Sequence, residues 1–441
     1  MNNKKAALVI AVVIVVFSIV GILLGIGRMH IKENENVDNS RSNDLVSGKV
    51  STEYTTEGTS VSSSEAETKE SQKEIEDKQK DQEIKGKEIK EQEKKEQEIK
   101  EKEIEELRQK QEQEQKVELE QRRLAFNIST ESALYTFEQM EADLGQMSEL
   151  YPEYLTIESV GVTADNRNLW MATLGNRTAE KHVLVQASIH AREYMNTLIT
   201  MKNIEYYLEN YDTGTYNEYS FSQLFDRVCF HIMPMSNPDG VAISQSGPEA
   251  IRDSNLRNII YQCYNSDLAI GKVSTDEAEY WRLWKANARG VDLNRNFNSG
   301  WDMYEGTTGP SADHYKGEAP ESELETQAIL KVMKEYPTAV VISNHSMGNI
   351  IYWDCGSQGE VHEADRQLAE LVSRVTGFGT VSSSQSNQDA AGCGDYAILE
   401  LGILEVTIES GSGSCPLGIE EFDGLWNANR DVWPAVADFC I

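Results

Sequence analysis

Nothing between residues 28 and 125 can build a hydrophobic core, which confines any globular fold of this chain to residues 126–441. Residues 28–61 are rich in Ser, Thr, Asn, Glu and Gly and bury too little apolar surface to offset the entropy of ordering, so they read as a flexible linker. Residues 62–125 are dominated by Glu, Lys and Gln, with many Glu and Lys pairs at i,i+4 spacing, and predict a charged helical stalk. Isoleucines at 75, 84, 89, 99 and 104 recur within the quasi-repeat EIKGKEIKEQEKKEQ, but a seam every 3.5 residues is missing. A solvated single helix therefore outranks a coiled-coil dimer, and self-association of the stalk stays open. Fully helical, the segment would span roughly 95 Å.

Ahead of the linker, residues 6–27 (AALVIAVVIVVFSIVGILLGIG) carry no charge, and a helix of that length crosses a hydrocarbon core of about 30 Å. The run predicts a transmembrane anchor rather than a cleaved signal, whose apolar part spans about 7–15 residues. Lys4 and Lys5 precede it and Glu33, Glu35 and Asp38 follow, which makes residues 1–5 a cytoplasmic tail and places the rest outside, on a single-pass cell-membrane protein. Residues 126–441 hold 19 Lys+Arg against 46 Asp+Glu, a net of −27 out of −32 for the chain. Such acidity excludes nucleic acid and anionic headgroups as natural partners. All six cysteines lie in this region and none forms a CxxC pair, so thiolate zinc ligation is not expected. A Cys393–Cys415 bridge flanking the last strand is one expectation, and a buried free Cys229 another.

From residue 126 the texture becomes globular. Tyr135, Met140, Leu144, Met147 and Leu150 have helical spacing, closed by Pro152. Apolar runs at 182–188, 227–234, 339–345 and 403–409 predict strands; 193–210, 321–335 and 361–375 predict helices. The alternation gives an α/β sheet with helices on both faces.

Chemistry-bearing residues fall at the ends of those strands. His190 and Glu193 follow the first, His345 ends the third and Glu409 ends the fourth. In open α/β sheets the ligand crevice lies at the carboxyl ends of strands, so three separate segments are delivered to one edge. Two imidazoles, one carboxylate ligand and one carboxylate base are what a hydrolytic zinc site with an open position requires. Taken alone, HxxE is a weak pattern, His345 fits a satisfied core histidine, and Glu405 lies on the same face as Glu409. The remaining histidines, His182 and His231 among them, show no such company.

The segments IHARE, NPDG (237–240), GVDLNRNF (290–297), SNHS (343–346) and VTIES (406–410) together resemble the M14 zinc carboxypeptidases, in the family's order and over about residues 133–436. The resemblance implies a mixed, mostly eight-stranded twisted sheet with helices on both faces and one catalytic zinc ion. It makes His190, Glu193 and His345 the metal ligands, Glu409 the general base acting on zinc-bound water, and Asp292 the carboxylate behind the first histidine. Asn294 and Arg295 become the clamp for a terminal carboxylate, with Arg192 a further substrate contact. Two departures stand out. Where animal digestive members polarise the scissile carbonyl with an arginine after tryptophan, this chain has Trp284-Lys285, with Arg289 nearby; and the capping tyrosine position falls on Asn387, Tyr396 matching a different one. The stretch WKANARGVDLNRNF is similar to bacterial members that cleave γ-D-glutamyl-diaminopimelate bonds. The implied substrate is a peptide with a free carboxylate or a peptidoglycan stem peptide. An aspartoacylase-like amidohydrolase and a catalytically dead scaffold are the rivals, disfavoured by NPDG and by the presence of every ligand and the base.

Overall fold

The computed structural model describes residues 65–272 and 276–441, with side chains from residue 73 onward. The expected tail, apolar anchor and linker lie outside the described residues, among which no helix is long and apolar enough to cross a membrane. Glu65–Ala125 is one continuous helix. It carries i,i+4 pairs such as Lys87–Glu83 at 2.9 Å and Lys95–Glu91 at 2.8 Å, and Ile75, Ile84, Ile89, Ile99 and Ile104 are all more than half exposed. Exposed pairs of this kind contribute about 0.3–0.5 kcal/mol each. The chain divides into Met1–Lys100 and Glu101–Ile441, so the last turns of this helix belong with the globular part. There Arg123 donates to Leu150 O at 2.8 Å and lies over the Tyr151 ring.

The core is an eight-stranded sheet. Its strands are β1 (Leu155–Val162), β2 (Asn168–Leu174), β3 (Lys181–Ala187), β6 (Val228–Met233), β7 (Thr338–His345), β8 (Ile350–Trp353), β9 (Gly379–Ser382) and β10 (Leu404–Glu409); β4 (Thr215–Tyr216) and β5 (Tyr219–Ser220) form a separate ribbon. The order is β1-β2-β6-β3-β7-β10-β8-β9. The four strands expected from sequence are the four at the centre, β6, β3, β7 and β10, all parallel. Burial on both faces explains why they read as unbroken apolar runs. Val183, Val185, Phe230, Ile232, Val340 and Ile342 pack on one side, Leu184, Met233 and Val341 on the other.

Helices cover both faces. Phe137–Leu150 starts at a Thr136/Gln139 capping box and buries Met140, Leu144 and Met147 on the first side; Leu324–Glu335 buries Ile329, Val332 and Met333 on the second. The alternation along β10 matters most. Val406 and Ile408 point into the first layer, which leaves Glu405, Thr407 and Glu409 on the opposite face, together with Ser343 and His345 of the neighbouring β7.

Candidate metal centre

At the carboxyl edge of the parallel strands the chain leaves β3 through Ser188, whose φ of 53° turns it sharply. The Ser188 hydroxyl donates to Glu193 O at 3.2 Å and closes the short turn Ala191–Glu193, which aims His190 and Glu193 at one point. His345 arrives as the last residue of β7, and Glu409, the last of β10, is its register partner. Asn237 of NPDG ties two loops together, donating to Ile189 O at 3.0 Å and to Ala286 O at 3.1 Å. Ala191 N adds a bond to Lys285 O at 3.0 Å, so the segment with Lys285 is fastened to the one with His190.

The three expected ligands converge and are buried. Nδ1 of His190 lies 2.9 Å from Glu193 Oε1, Nδ1 of His345 lies 3.1 Å from Oε2, and the two nitrogens are 3.0 Å apart. His190 Nε2 faces Asp292 Oδ1 at 3.4 Å, a charge contact too long for a good hydrogen bond. This arrangement tests whether a cation fits. A neutral imidazole has one N–H, yet His190 has a carboxylate at each nitrogen, so one lone pair must face a carboxylate unless a cation intervenes. With a cation among Nδ1 of His190, Nδ1 of His345 and Glu193, the His190 N–H is free to point at Asp292. Burial alone would raise the carboxyls, but His190 and His345 hold Glu193 well below the usual range, and Lys285 with His190 does the same for Asp292. The donor set of two nitrogens and a carboxylate suits zinc.

A zinc carboxypeptidase domain matches residues 140–429, about two thirds of the chain. The chain belongs to the zinc carboxypeptidase family. It is a zinc metallopeptidase. A γ-D-glutamyl-L-diamino acid endopeptidase 1 of Lysinibacillus sphaericus is 30% identical over 320 residues, covering 71% of this chain and 75% of that one. Human mast cell carboxypeptidase A is 26% identical over 240 residues, 54% of this chain and 50% of its own length. In fold, the crystal structure of thrombin activatable fibrinolysis inhibitor superposes with a TM-score of 0.54 at 19% identity, over 69% of this chain and 73% of that one.

Not every expected site residue of this zinc carboxypeptidase reaches the centre. Glu409, Lys285, Asn294 and Arg295 share one cavity of about 520 Å³ with His190. Lys285 Nζ sits 3.4 Å from Asp292 Oδ2. Arg289 does not reach it: it sits in the turn that Gly290 N closes on Asn287 O at 3.1 Å, and its guanidinium, 45% exposed, lies 3.8 Å from Glu323 and lines a different cavity. Arg192 also borders another cavity, bonded to Leu283 O at 3.3 Å. Arg295 donates to Asn294 O at 2.7 Å and to Asp389 at 2.9 Å, and Asn294 Oδ1 accepts from Cys393 N at 2.9 Å. Asn387 donates to Glu305 at 3.1 Å, and Tyr396 is buried against Phe297.

Two expectations are corrected. The Cys393–Cys415 bridge does not form: both are free thiols, Cys393 buried under the sheet and Cys415 donating to Arg192 O at 3.3 Å. His182 and His231 do have company, each other and Cys229, since register places them on one face of β3 and β6. Cys229 is buried and free as expected. Sequence reasoning missed Asp389 and Asp395 on the cavity wall. Their signal was the acidic loop just upstream of the last strand, which has no periodicity to flag it.

Proposed function

We propose that this zinc metallopeptidase hydrolyses the bond preceding a residue with a free carboxylate, in cell-wall stem peptides at the γ-D-glutamyl–diamino acid bond. The carrying observation is the convergence of His190, Glu193 and His345 beside Glu409 in a cavity that reaches Arg295. In this reading those three side chains hold zinc. Bound there, zinc supplies Lewis acidity to the scissile carbonyl and brings the pKa of water to about 7. Burial, with Glu193 close by, pushes the Glu409 carboxyl up to about 7, against the pull of His345 and Lys285. A carboxylate so poised accepts a proton from the attacking water and returns it to the leaving amine nitrogen. Asp292 fixes the His190 N–H, and the Lys285 ammonium presents positive charge where the oxyanion develops. Arg295 and Asn294 receive the substrate carboxylate, which displaces Asp389, whose side chain is 63% exposed. The substrate carboxylate takes the place of Asp389 beside the largely buried Arg295, so the guanidinium keeps an anionic partner throughout.

The substrate rests on the Lysinibacillus relative, whose name specifies a γ-D-glutamyl-L-diamino acid bond. The uncharged run 6–27 supports a membrane anchor with the catalytic domain outside, near such a substrate. The similarity to mast cell carboxypeptidase A favours a second reading, general trimming of C-terminal residues. Incubating the zinc-loaded chain with diaminopimelate-containing muropeptides and with C-terminally unblocked linear peptides separates the two. The first reading requires faster cleavage of the muropeptide; faster cleavage of the linear peptides selects the second. Protease shaving of intact cells tests the outward orientation.

A further inference from the structure

The turn between Lys285 and Asp292 is built around one wholly buried amide, that of Asn287. Its Oδ1 accepts from Arg289 N at 2.9 Å and Val291 N at 3.1 Å, while its backbone N donates to Val291 O at 2.9 Å. Those bonds close the turn. The other end of the side chain reaches out of it: Nδ2 donates to Glu323 Oε2 at 2.8 Å, with Glu325 Oε2 next at 3.4 Å. Both acids are buried, one at the N-cap and one in the first turn of the helix Leu324–Glu335. Burial, with Asp239 and Glu323 close by, pushes Glu325 up to about 8, so at neutral pH it mostly carries its proton.

The two arms of the turn carry groups that must meet. The Lys285 backbone is fixed by Ala191 N and Ala312 O, and Asp292 N donates to Tyr315 O at 2.8 Å. Asn287 sits where the arms join, and beside them Lys285 Nζ lies 3.4 Å from Asp292 Oδ2. A turn that served the fold alone would need Oδ1 and an apolar neighbour. Burying two carboxyls around a single amide is costly, and what it adds is direction: a hydrogen bond fixes the orientation of the turn against the helix, where apolar packing would let it slide.

We propose that Asn287 is a positioning residue for hydrolysis: held by Glu323 and Glu325, it sets the Lys285 ammonium against Asp292 and the reacting carbonyl. The inference rests on the peptidase reading above and on the part Lys285 has in it. A displacement of about 1 Å at a catalytic group costs on the order of 100-fold in rate.

The test uses the zinc-loaded full chain and the peptide it cleaves fastest. Asn287→Asp is isosteric and keeps Oδ1 for the turn, but sets an oxygen against Glu323; Glu323→Met removes the same hydrogen bond from the other side. Each variant should keep its zinc and lose about 10–100-fold in kcat with little change in KM. In a Lys285→Ala background the further loss should shrink below about threefold, because the residue through which Asn287 acts is gone. Asn287→Asp/Glu323→Gln restores a donor and an acceptor with reversed polarity and should regain about tenfold. Competitive acetylation, read by mass spectrometry against the stalk lysines, should label Lys285 about tenfold faster in either single variant than in the wild type. Losses that stay fully multiplicative in the Lys285→Ala background overturn the proposal. So does unchanged Lys285 labelling in the folded variants. A zinc-loaded wild type that cleaves no peptide fails the peptidase reading instead, and the labelling then decides the positioning role by itself.

Discussion

Strand β3 has a histidine pair at each end, and the two pairs differ in ways that separate a metal centre from a piece of core. At the carboxyl end His190 and His345 bring Nδ1 atoms to 3.0 Å; at the other end His182 Nδ1 and His231 Nε2 are 2.8 Å apart, beside Cys229. The second pair is satisfied by one neutral arrangement of protons. The Thr173 hydroxyl donates to His231 Nδ1 at 3.1 Å, His231 Nε2–H to His182 Nδ1, and His182 Nε2–H to Ala179 O at 3.1 Å. Burial pushes the Cys229 thiol up to about 12, so the third group is neutral too. The first pair admits no such neutral solution, because His190 has a carboxylate at both nitrogens and, among the described residues, His345 Nε2 has no partner. Paired imidazoles are therefore not the signature of a metal site; unbalanced negative charge and an unsatisfiable proton count are.

The largest effect that could break this contrast is catalytic. Glu409→Gln is expected to lower kcat by about 10²–10⁴-fold while zinc stays bound, and a variant retaining wild-type kcat would remove Glu409 from its role. Next comes the carboxylate behind His190: Asp292→Asn should weaken zinc about 10–100-fold in chelator competition, whereas Thr173→Val, at the corresponding place in the other pair, should leave zinc affinity unchanged.

The neutral pair makes its own prediction in pH. Burial, helped by His182 and Arg177, lowers His231 to about 3, while the unfolded histidine titrates near 6.5. Between these values the unfolded chain binds the extra proton. Stability is therefore fully present above about pH 6.5 and falls by about 1.4 kcal/mol per pH unit as pH drops towards about 3. Replacing it, as His231→Gln, should flatten the acid limb of a denaturant-melt series by one proton; an unaltered limb would contradict the assignment. The smallest effect is that of Thr173→Val on stability, about 1 kcal/mol lost for one hydrogen bond in the chain, measured by urea unfolding.

The two ends of β3 were also unequally legible in the sequence. His190, Glu193, His345 and Glu409 could be read because each follows or ends a central strand, and those strands are continuous apolar runs. His182 and His231 sit inside such runs, where only pairing register brings them together, and register is not written in a single strand. Edge strands escaped for a related reason: β1 keeps Glu158 exposed in a half-wet pattern, and β9 is exposed throughout. Lys285 and Arg289 could not be told apart, since what brings one to Asp292 and the other to Glu323 is a matter of tertiary structure. Glu405 was visible only as a rival to Glu409. The structure makes it a buried neighbour, 1% exposed, on the same face.

Counting zinc per chain tests the central contrast most directly. Elemental analysis of the purified full chain should give one zinc for the wild type, one for His182→Gln/His231→Gln, and essentially none for His190→Gln/His345→Gln. Two zinc ions in the wild type, with one lost from the His182/His231 variant, would show that the satisfied pair is a metal site after all; retention of zinc by the folded His190/His345 variant would contradict the account outright.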